Sequence, residues 1–317
     1  MLNFRENDRA LDTVEYLASG RKGINIPTGQ FLHYLYVRMS GTVTVASQSA
    51  GAVLDDGAMS IPTFHILADG REIKRIPGRA LYYDNIARYG FAGEETDPTA
   101  ATDAAYAVAC EYRIPFTPKV NNPSQFMLPT GQYNSLRLEV SYSDLATTLF
   151  NSSFNGTAVS TNLACEVVGV FSDHDIQRAG GNFPVYVQTY TEEVLTATNT
   201  EFKIKLDKGD ANIFYTDLTI FTTDAGVRDG DILNKLDLRY TSEQYRFKQL
   251  SEYYLQNKWK ALSGSATEYT GVYPVHIMPD GLPNSAVSAQ EQLEVVLNAT
   301  KGTGTTLVHV LRGAIIS

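Results

Sequence analysis

The sequence predicts an all-β protein built from two tandem eight-stranded jelly rolls, with a short N-terminal helix and small helical excursions. Three observations carry this prediction. Runs rich in β-branched and aromatic residues alternate with turn residues, Asp-Gly pairs begin at positions 56, 69, 229 and 280, and several local patterns occur twice in the same order. The 317 residues are 43% hydrophobic and 19% charged, which is typical of a globular protein with a substantial core.

The first 29 residues differ from the rest and predict one short amphipathic helix followed by a linker. Asn7 or Asp8 can cap this helix, and Gly20 can end it. Four apolar residues fall on one face at helical spacing: Leu11, Val14, Leu17 and Ala18. We therefore treat residues 1–29 as an N-terminal helix and arm.

Residues 30–174 read as the first jelly roll and residues 175–317 as the second. The predicted strands of the first are "FLHYLYVRMSGTVTVA", "AYAVACEYRIPF", "SLRLEVSYS" and "LACEVVGVF", with a helix at "RALYYDNIARYGF". Those of the second are "TEFKIKLD", "NIFYTDLTIFT", "VYPVHIM", "QLEVVLNAT" and "TTLVHVLRGAII", with a helix at "SEQYRFKQLSEYYLQNKWKAL". Strands spaced by turns with few helices favour a sandwich or barrel.

Four patterns recur in one order, which predicts two copies of one β fold. Ile66–Asp69 matches Ile220–Asp224, and "YRIPFTP" at Tyr112 matches "YPVHIMP" at Tyr273. In addition, "LEV" at Leu138 matches "LEV" at Leu293, and "LACEVVG" at Leu163 matches "LVHVLRG" at Leu307. The alternative is two unrelated β domains, because all strands share a similar composition.

Composition and net charge argue against several functions. The net charge of −9 does not favour binding to nucleic acid, which depends on clustered Lys and Arg. No apolar run is long enough for a membrane span, and no secretory signal opens the chain. Cys110 and Cys165 lie in apolar runs and are expected to be buried free thiols of a protein that folds in a reducing cytoplasm. Nucleophile-elbow, zincin, Walker and Rossmann motifs are missing from the sequence, so no catalytic or cofactor-binding residue is assigned.

One group of acidic residues is a candidate metal site. Asp224, Asp229 and Asp231 fall within one loop, "TTDAGVRDGD", and clustered carboxylates can hold Ca²⁺ together with backbone carbonyls. The spacing is not that of an EF-hand, and the alternative is a solvated turn.

The segment "HILADGREIKRIPGRALYYDNIARYG", from His65 to Gly90, resembles the strand, turn and helix of double jelly-roll major capsid proteins. These proteins build membrane-containing icosahedral phages of the tectivirus, corticovirus and finnlakevirus types. The resemblance extends over most of the chain as architecture. It implies a homotrimer with a pseudo-hexagonal outline that tiles a shell, calcium in some relatives, and an N-terminal helix close to an internal lipid membrane.

For that helix, contact with a membrane and packing against its own domain or a neighbour are equally open, because its four basic residues are matched by four acidic ones. The candidate membrane-proximal residues are Arg5, Arg9, Leu11, Val14, Leu17, Arg21 and Lys22.

The first functional hypothesis is therefore a non-enzymatic major capsid protein of the virion. It would be made in the host cytoplasm and would contact itself and penton or minor capsid proteins. The second is a β-sandwich protein that binds carbohydrate or a receptor, such as a phage spike or a lectin-like module. The third is a β-sandwich glycoside hydrolase or lyase, which would need two acids facing each other across a cleft.

Overall fold

The structure is a computed structural model that divides into two compact units. The first comprises Met1–Tyr82, Ala92–Thr117 and Ser124–Phe183, and the second Tyr83–Phe91, Pro118–Pro123 and Pro184–Ser317. The structure describes residues 6–46, 51–90, 93–118, 126–172, 184–206, 212–240, 245–252, 254–255, 269–277, 287–288 and 293–316.

Among the described residues, the first unit contains twelve strands. They are β1 (Glu6–Ala10), β2 (Val14–Glu15), β3 (Arg21–Asn25), β4 (Phe31–Ala46), β5 (Pro62–Ala68), β6 (Arg71–Pro77), β7 (Glu95–Thr96), β8 (Ala104–Pro115), β9 (Leu128–Pro129), β10 (Leu136–Tyr142), β11 (Thr157–Val159) and β12 (Ala164–Ser172). The helices are α1 (Gly57–Ser60), α2 (Gly78–Tyr89) and α3 (Leu145–Leu149), with a 3-10 turn at Thr130–Gln132. From Tyr83 onward the residues of α2 belong to the second unit.

The strands of the first unit form two antiparallel sheets. One has the order β1-β12-β4-β8, and the other has the order β3-β10-β5-β6. The chain passes between them in the sequence β1, β3, β4, β5, β6, β8, β10, β12, and the hairpin β5–β6 is its only step within one sheet. This strand order is that of a jelly roll.

Ten strands lie in the part of the second unit that the structure describes. They are β13 (Val185–Leu195), β14 (Asn199–Lys205), β15 (Ile213–Asp224), β16 (Val227–Arg228), β17 (Leu233–Tyr240), β18 (Tyr245–Ser251), β19 (Val272–His276), β20 (Val287–Ser288), β21 (Leu293–Ala299) and β22 (Thr306–Ile316).

These strands repeat the topology of the first unit. One sheet has the order β13-β22-β15-β19, and the other has the order β14-β21-β17-β18. Strand for strand, β13, β14, β15, β17, β18, β19, β21 and β22 take the places of β1, β3, β4, β5, β6, β8, β10 and β12. The predicted fold of two similar jelly rolls is confirmed.

Alternation of buried and exposed side chains along each strand explains how each roll forms its hydrophobic core. On β14, Ile204 is buried while Lys203 and Lys205 are exposed, as the sequence predicted. In the second unit Ile204 packs with residues of both sheets, among them Leu236 and Val310. Burial of these aliphatic side chains is the main favourable contribution to the stability of each roll.

The prediction of an N-terminal helix is wrong, because residues 6–25 contain strands β1, β2 and β3. Glu6–Ala10 pairs with β12, and Arg21–Asn25 pairs with β10. A short helix has little stability of its own, whereas strand pairing satisfies the backbone and buries Val14 at 1% exposure. Leu17, placed on the apolar face of the predicted helix, is 44% exposed. Residues 6–25 are therefore not a separate arm, since β1 and β3 are two of the eight strands of the first roll.

Three of the four repeated patterns fall on equivalent strands, and one does not. The matches at Tyr112, Leu138 and Leu163 join β8 with β19, β10 with β21, and β12 with β22. The match at Ile66 joins β5 with β15, but the counterpart of β5 is β17. The two segments resemble each other because each is followed by a tight turn. After β5, Asp69 and Gly70 have φ of 49° and 78°, and β15 is followed by a second turn of the same kind.

That second turn is formed by Ala225 and Gly226, with φ of 50° and 84°, and not by the predicted Asp-Gly pair at 229. Two successive positive φ angles are the mark of a type I′ hairpin turn. At the Asp-Gly pair at 56, Asp56 occupies the N-cap position of α1 with a φ of 64° and no side-chain capping bond, and Gly57 is the first residue of that helix. The pair at 280 lies outside the described residues.

The helix predicted at 79–91 is confirmed as α2 (Gly78–Tyr89), whereas the one predicted at 242–262 is confirmed only in part. Tyr245–Ser251 is strand β18, because Leu250 pairs with Leu236 on the neighbouring β17. Glu252, Tyr254 and Leu255 are helical, and 256–268 lie outside the described residues, as does the predicted domain boundary at 174/175. Among the described residues, no helix has the length and hydropathy needed to cross a bilayer.

Candidate functional site

The structure does not bring the three predicted calcium ligands together. Asp224 ends β15, and its carboxylate accepts hydrogen bonds from the Gly304 N–H (2.9 Å) and the Thr306 hydroxyl (2.8 Å). Burial raises the pKa of Asp224, but these hydrogen bonds outweigh it and the pKa is lowered overall. Asp229 accepts a hydrogen bond from the Asp231 N–H at 2.8 Å, which closes a local turn.

Asp224 thus fastens the loop before β22. A Cβ added at Gly302 would lie 2.4 Å from the carboxylate carbon of Asp224, so loop and carboxylate are in close contact. Within the part of the chain that the structure describes, no three His, Cys, Asp or Glu side chains are grouped as metal ligands.

The candidate membrane-proximal residues lie on strands and loops instead of one helical face. Arg21 pairs with Glu139 at 2.5 Å, and Lys22 pairs with Glu15 at 2.8 Å. Of the other candidate residues, Arg9 on β1 and Leu17 are exposed, Leu11 is half-buried and Val14 is buried. Arg5 lies outside the described residues.

A cluster of buried charges in the second unit is the feature that the sequence reading missed. It consists of Asp84 and Arg88 on α2 and Asp217 on β15, at 2%, 2% and 7% exposure. We call these three residues the Arg88 cluster. They lie on the face of sheet β13-β22-β15 that is turned away from the hydrophobic core, because Leu218 and Ile220 occupy the core face of β15.

The guanidinium of Arg88 binds both carboxylates. Its Nε lies 3.0 Å from Asp84 Oδ2, and its Nη2 lies 3.1 Å from Asp84 Oδ1. Its Nη1 lies 3.2 Å from Asp217 Oδ2, and its Nη2 also donates to Asp217 Oδ1. Such paired, charge-assisted hydrogen bonds are stronger than neutral ones and fix the geometry of both partners.

Uncharged neighbours complete the hydrogen bonding of both carboxylates. Asp84 accepts from Gln188 Nε2 and Thr219 Oγ1, both at 2.9 Å. Asp217 accepts from Thr216 Oγ1 at 2.5 Å and from the Tyr186 hydroxyl at 3.4 Å. Each of the four carboxylate oxygens therefore accepts two hydrogen bonds, and none is left for a substrate. The cluster holds the second half of α2 against the sheet and is a structural site.

The ionisation of the cluster follows from burial and from its two-to-one charge ratio. Burial raises the pKa of Asp84, and Arg88 only partly offsets this effect. Burial alone would lower the pKa of Arg88, but Asp217 and Asp84 raise it well above its ordinary value, so the guanidinium stays charged. Two signals were present in the sequence: Asp84 and Arg88 are spaced i, i+4 on a predicted helix, and Asp217 is a charge within an apolar strand.

Histidines provide two smaller polar groups. In the first unit, His65 lies 2.6 Å from Glu72 and 2.9 Å from the Ser141 hydroxyl. In the second unit, His309 lies 2.6 Å from the Tyr190 hydroxyl and 2.9 Å from Thr223 Oγ1. Both rings are nearly buried, and both bind neighbouring strands of their own sheet, which is a structural arrangement.

No family model matches this chain, and no curated protein sequence matches it. Solved structures do match. The major capsid protein (MCP) of Sulfolobus Turreted Icosahedral Virus (STIV) is similar at a TM-score of 0.76 and 11% identity, over 98% of this chain and 97% of that one. The major capsid protein P2 from Bacteriophage PM2 is similar at a TM-score of 0.63 and 12% identity, over 99% of this chain and 98% of that one. A chain of the PBCV-1 virus capsid is similar at a TM-score of 0.61 and 12% identity, over 99% of this chain and 95% of that one.

These identities are low, so the similarity is one of fold, and it includes both rolls and nearly the full length of each chain. This chain has the double jelly-roll fold found in viral major capsid proteins.

Proposed function

We propose that this chain is the major capsid protein of an icosahedral virus, acting by self-assembly into trimers that tile the shell. The observation that carries the proposal is the repetition of one jelly-roll strand order in both units, in a fold shared over nearly the whole chain with capsid proteins.

The duplication supports a pseudo-hexameric capsomer on geometric grounds. Three chains around a threefold axis form a closed cyclic assembly and contribute six rolls of one topology. Six similar lateral faces let a trimer occupy a position of near-sixfold symmetry in a lattice. The net charge of −9 keeps free subunits apart in solution before assembly.

The proposed partners are other copies of this chain, with penton or minor capsid proteins at special positions of the shell. An internal lipid membrane beneath the shell is part of the proposal, but contact through an N-terminal amphipathic helix is not, because residues 6–25 contain strands β1 to β3. Flotation of the purified protein with phosphatidylcholine and phosphatidylglycerol vesicles tests membrane contact directly.

Light scattering during size-exclusion chromatography tests the trimer. We expect a mass near three times 34.9 kDa, and negative-stain images with hexagonal outlines and threefold symmetry. A folded protein that stays monomeric at high concentration would overturn the proposal. If that monomer also bound glycans or a receptor and formed no shell, the β-sandwich binding protein would replace it.

A further inference from the structure

A polar groove with a cavity volume of about 220 Å³ lies on the outer face of sheet β14-β21-β17-β18, within the second roll. Strand alternation explains its lining. Leu236 and Leu238 of β17 pack into the core, so Lys235 and Asp237 on the same strand point outward. Asn298 of β21 stands opposite Lys235 in the ladder.

A break in the edge strand shapes one wall of the groove. The pairing of β17 with β18 shifts register on both sides of Leu238. On β18, Gln249 has a φ of 52°, in the left-handed region, and its N–H donates to the Asp237 carboxylate. Bulges of this kind redirect side chains, and left-handed residues other than glycine concentrate at binding sites.

Polar groups in the groove are available for a ligand. Neither Lys235 nor Asn298 makes a side-chain hydrogen bond or ion pair with any residue that the structure describes. Glu201, also in the lining, has a distant ion pair of 3.9 Å with Lys203. The floor includes Val296, which is 4% exposed.

The equivalent sheet of the first roll shows that this arrangement is not a general consequence of the fold. There the outward side chains pair with one another. Arg21 and Glu139 lie 2.5 Å apart, and His65 lies 2.6 Å from Glu72 and 2.9 Å from Ser141. The second sheet has one such pair, Arg239 with Glu294 at 3.3 Å, but it also leaves Lys235 and Asn298 without a side-chain partner among the described residues.

The chemistry of the lining selects the ligand class. The lining carries three cations, Lys235, Arg239 and Lys248, and two carboxylates, Glu201 and Asp237. Arg239 is already paired with Glu294. A simple anion would therefore meet carboxylates as well as cations, and an apolar ligand would find little apolar wall. Sugar hydroxyls donate and accept hydrogen bonds, so they can bind carboxylates and the Asn298 amide together. A sugar carboxylate could in addition pair with the ammonium of Lys235. We propose that this groove binds an acidic sugar of the uronic acid type, a binding function beyond shell formation.

The test uses the full chain in solution, so its outcome does not depend on trimer or shell formation. Saturation-transfer NMR with D-glucuronate, D-glucose and acetate as probes should show saturable binding of glucuronate, weaker binding of glucose, and no displacement of glucuronate by equimolar acetate. Lys235→Gln should weaken glucuronate binding at least fivefold and glucose binding less than twofold. Asn298→Ala should weaken both.

Lys205→Gln is the matched control, because Lys205 is exposed on the same sheet but outside the groove lining, and the variant loses the same charge. It should bind glucuronate as the parent protein does. Unchanged circular dichroism shows that each variant is folded. The proposal is overturned if glucuronate does not bind saturably, if acetate competes as well as the sugar, or if Lys235→Gln and Lys205→Gln behave alike.

Discussion

Replacing Arg88 with methionine tests whether the Arg88 cluster holds the second half of α2 against sheet β13-β22-β15-β19. The variant keeps the length and apolar contacts of the side chain but removes four hydrogen bonds to Asp84 and Asp217. It leaves two buried carboxyls without a counter-charge. Breaking a buried ion pair in this way costs about 3–5 kcal/mol of unfolding free energy.

Urea unfolding followed by circular dichroism measures this loss. With a slope of about 2–3 kcal/mol per molar urea, the midpoint of the transition that reports the second unit should fall by about 1–2.5 M. Amide hydrogen exchange of β15 and β22 should accelerate, while that of β4 and β8 in the first unit should not. Arg38→Met is the control, because its ion pair with Glu94 is exposed, and its midpoint should not move.

Two further measurements separate loss of charge pairing from loss of packing. Adding Asp84→Asn and Asp217→Asn to Arg88→Met should recover most of the midpoint, because neutral groups can stay buried at lower cost. Acid should also reduce the defect of the single variant. Burial raises the pKa of Asp84, and without Arg88 nothing offsets that effect, so the folded variant binds this proton more tightly than the unfolded chain and the deficit grows as pH rises above about 4. A loss below about 1 kcal/mol, or a triple variant no better than the single one, would refute this reasoning.

Three further predictions follow from individual sites. Burial raises the pKa of Asp97 to about 6, so its ionisation destabilises the fold as pH rises from about 4 to 6. Asp97→Asn should raise the melting temperature at pH 7 by an amount equivalent to about 1–2 kcal/mol, and this gain should disappear at pH 4. Gly313→Ala should cost about 1–3 kcal/mol in urea unfolding, because the new Cβ would lie 2.5 Å from Asp217 Oδ1; an unchanged midpoint would contradict the geometry. Burial raises the pKa of the Cys110 thiol well above its usual value and that of Cys165 to about 12, so an aromatic disulfide reagent at pH 8 should react with neither in the native protein and with both in urea.

Strand composition determined the fold class, since β-branched and aromatic runs with turn residues between them favour paired sheets in any arrangement. The duplication was visible for the same reason. Strands β8, β10 and β12 repeat as β19, β21 and β22, because equivalent core positions in two copies of one fold impose similar side chains. The helix α2 was also predictable from its local pattern.

Pairing partners were decided only in three dimensions. Residues 6–25 carry a helical pattern of apolar side chains, but β12 and β10 offer unpaired strand edges, and their hydrogen bonds outweigh a weak helical preference. The turn after β15 resembles the turn after β5 because both are type I′, although the strands before them occupy different places in the roll.

The polar contacts of individual side chains depended on the tertiary structure even more than strand pairing did. Asp224 was grouped with Asp229 by sequence distance, yet its carboxylate binds the loop at Gly304 across the sheet. Arg88 meets Asp217 across 129 positions of sequence. Sequence patterns report local periodicity and composition, whereas the contacts of a buried charge depend on which distant strand the fold brings beside it. The sequence by itself therefore determined two β rolls, and the tertiary structure decided which polar side chains meet within them.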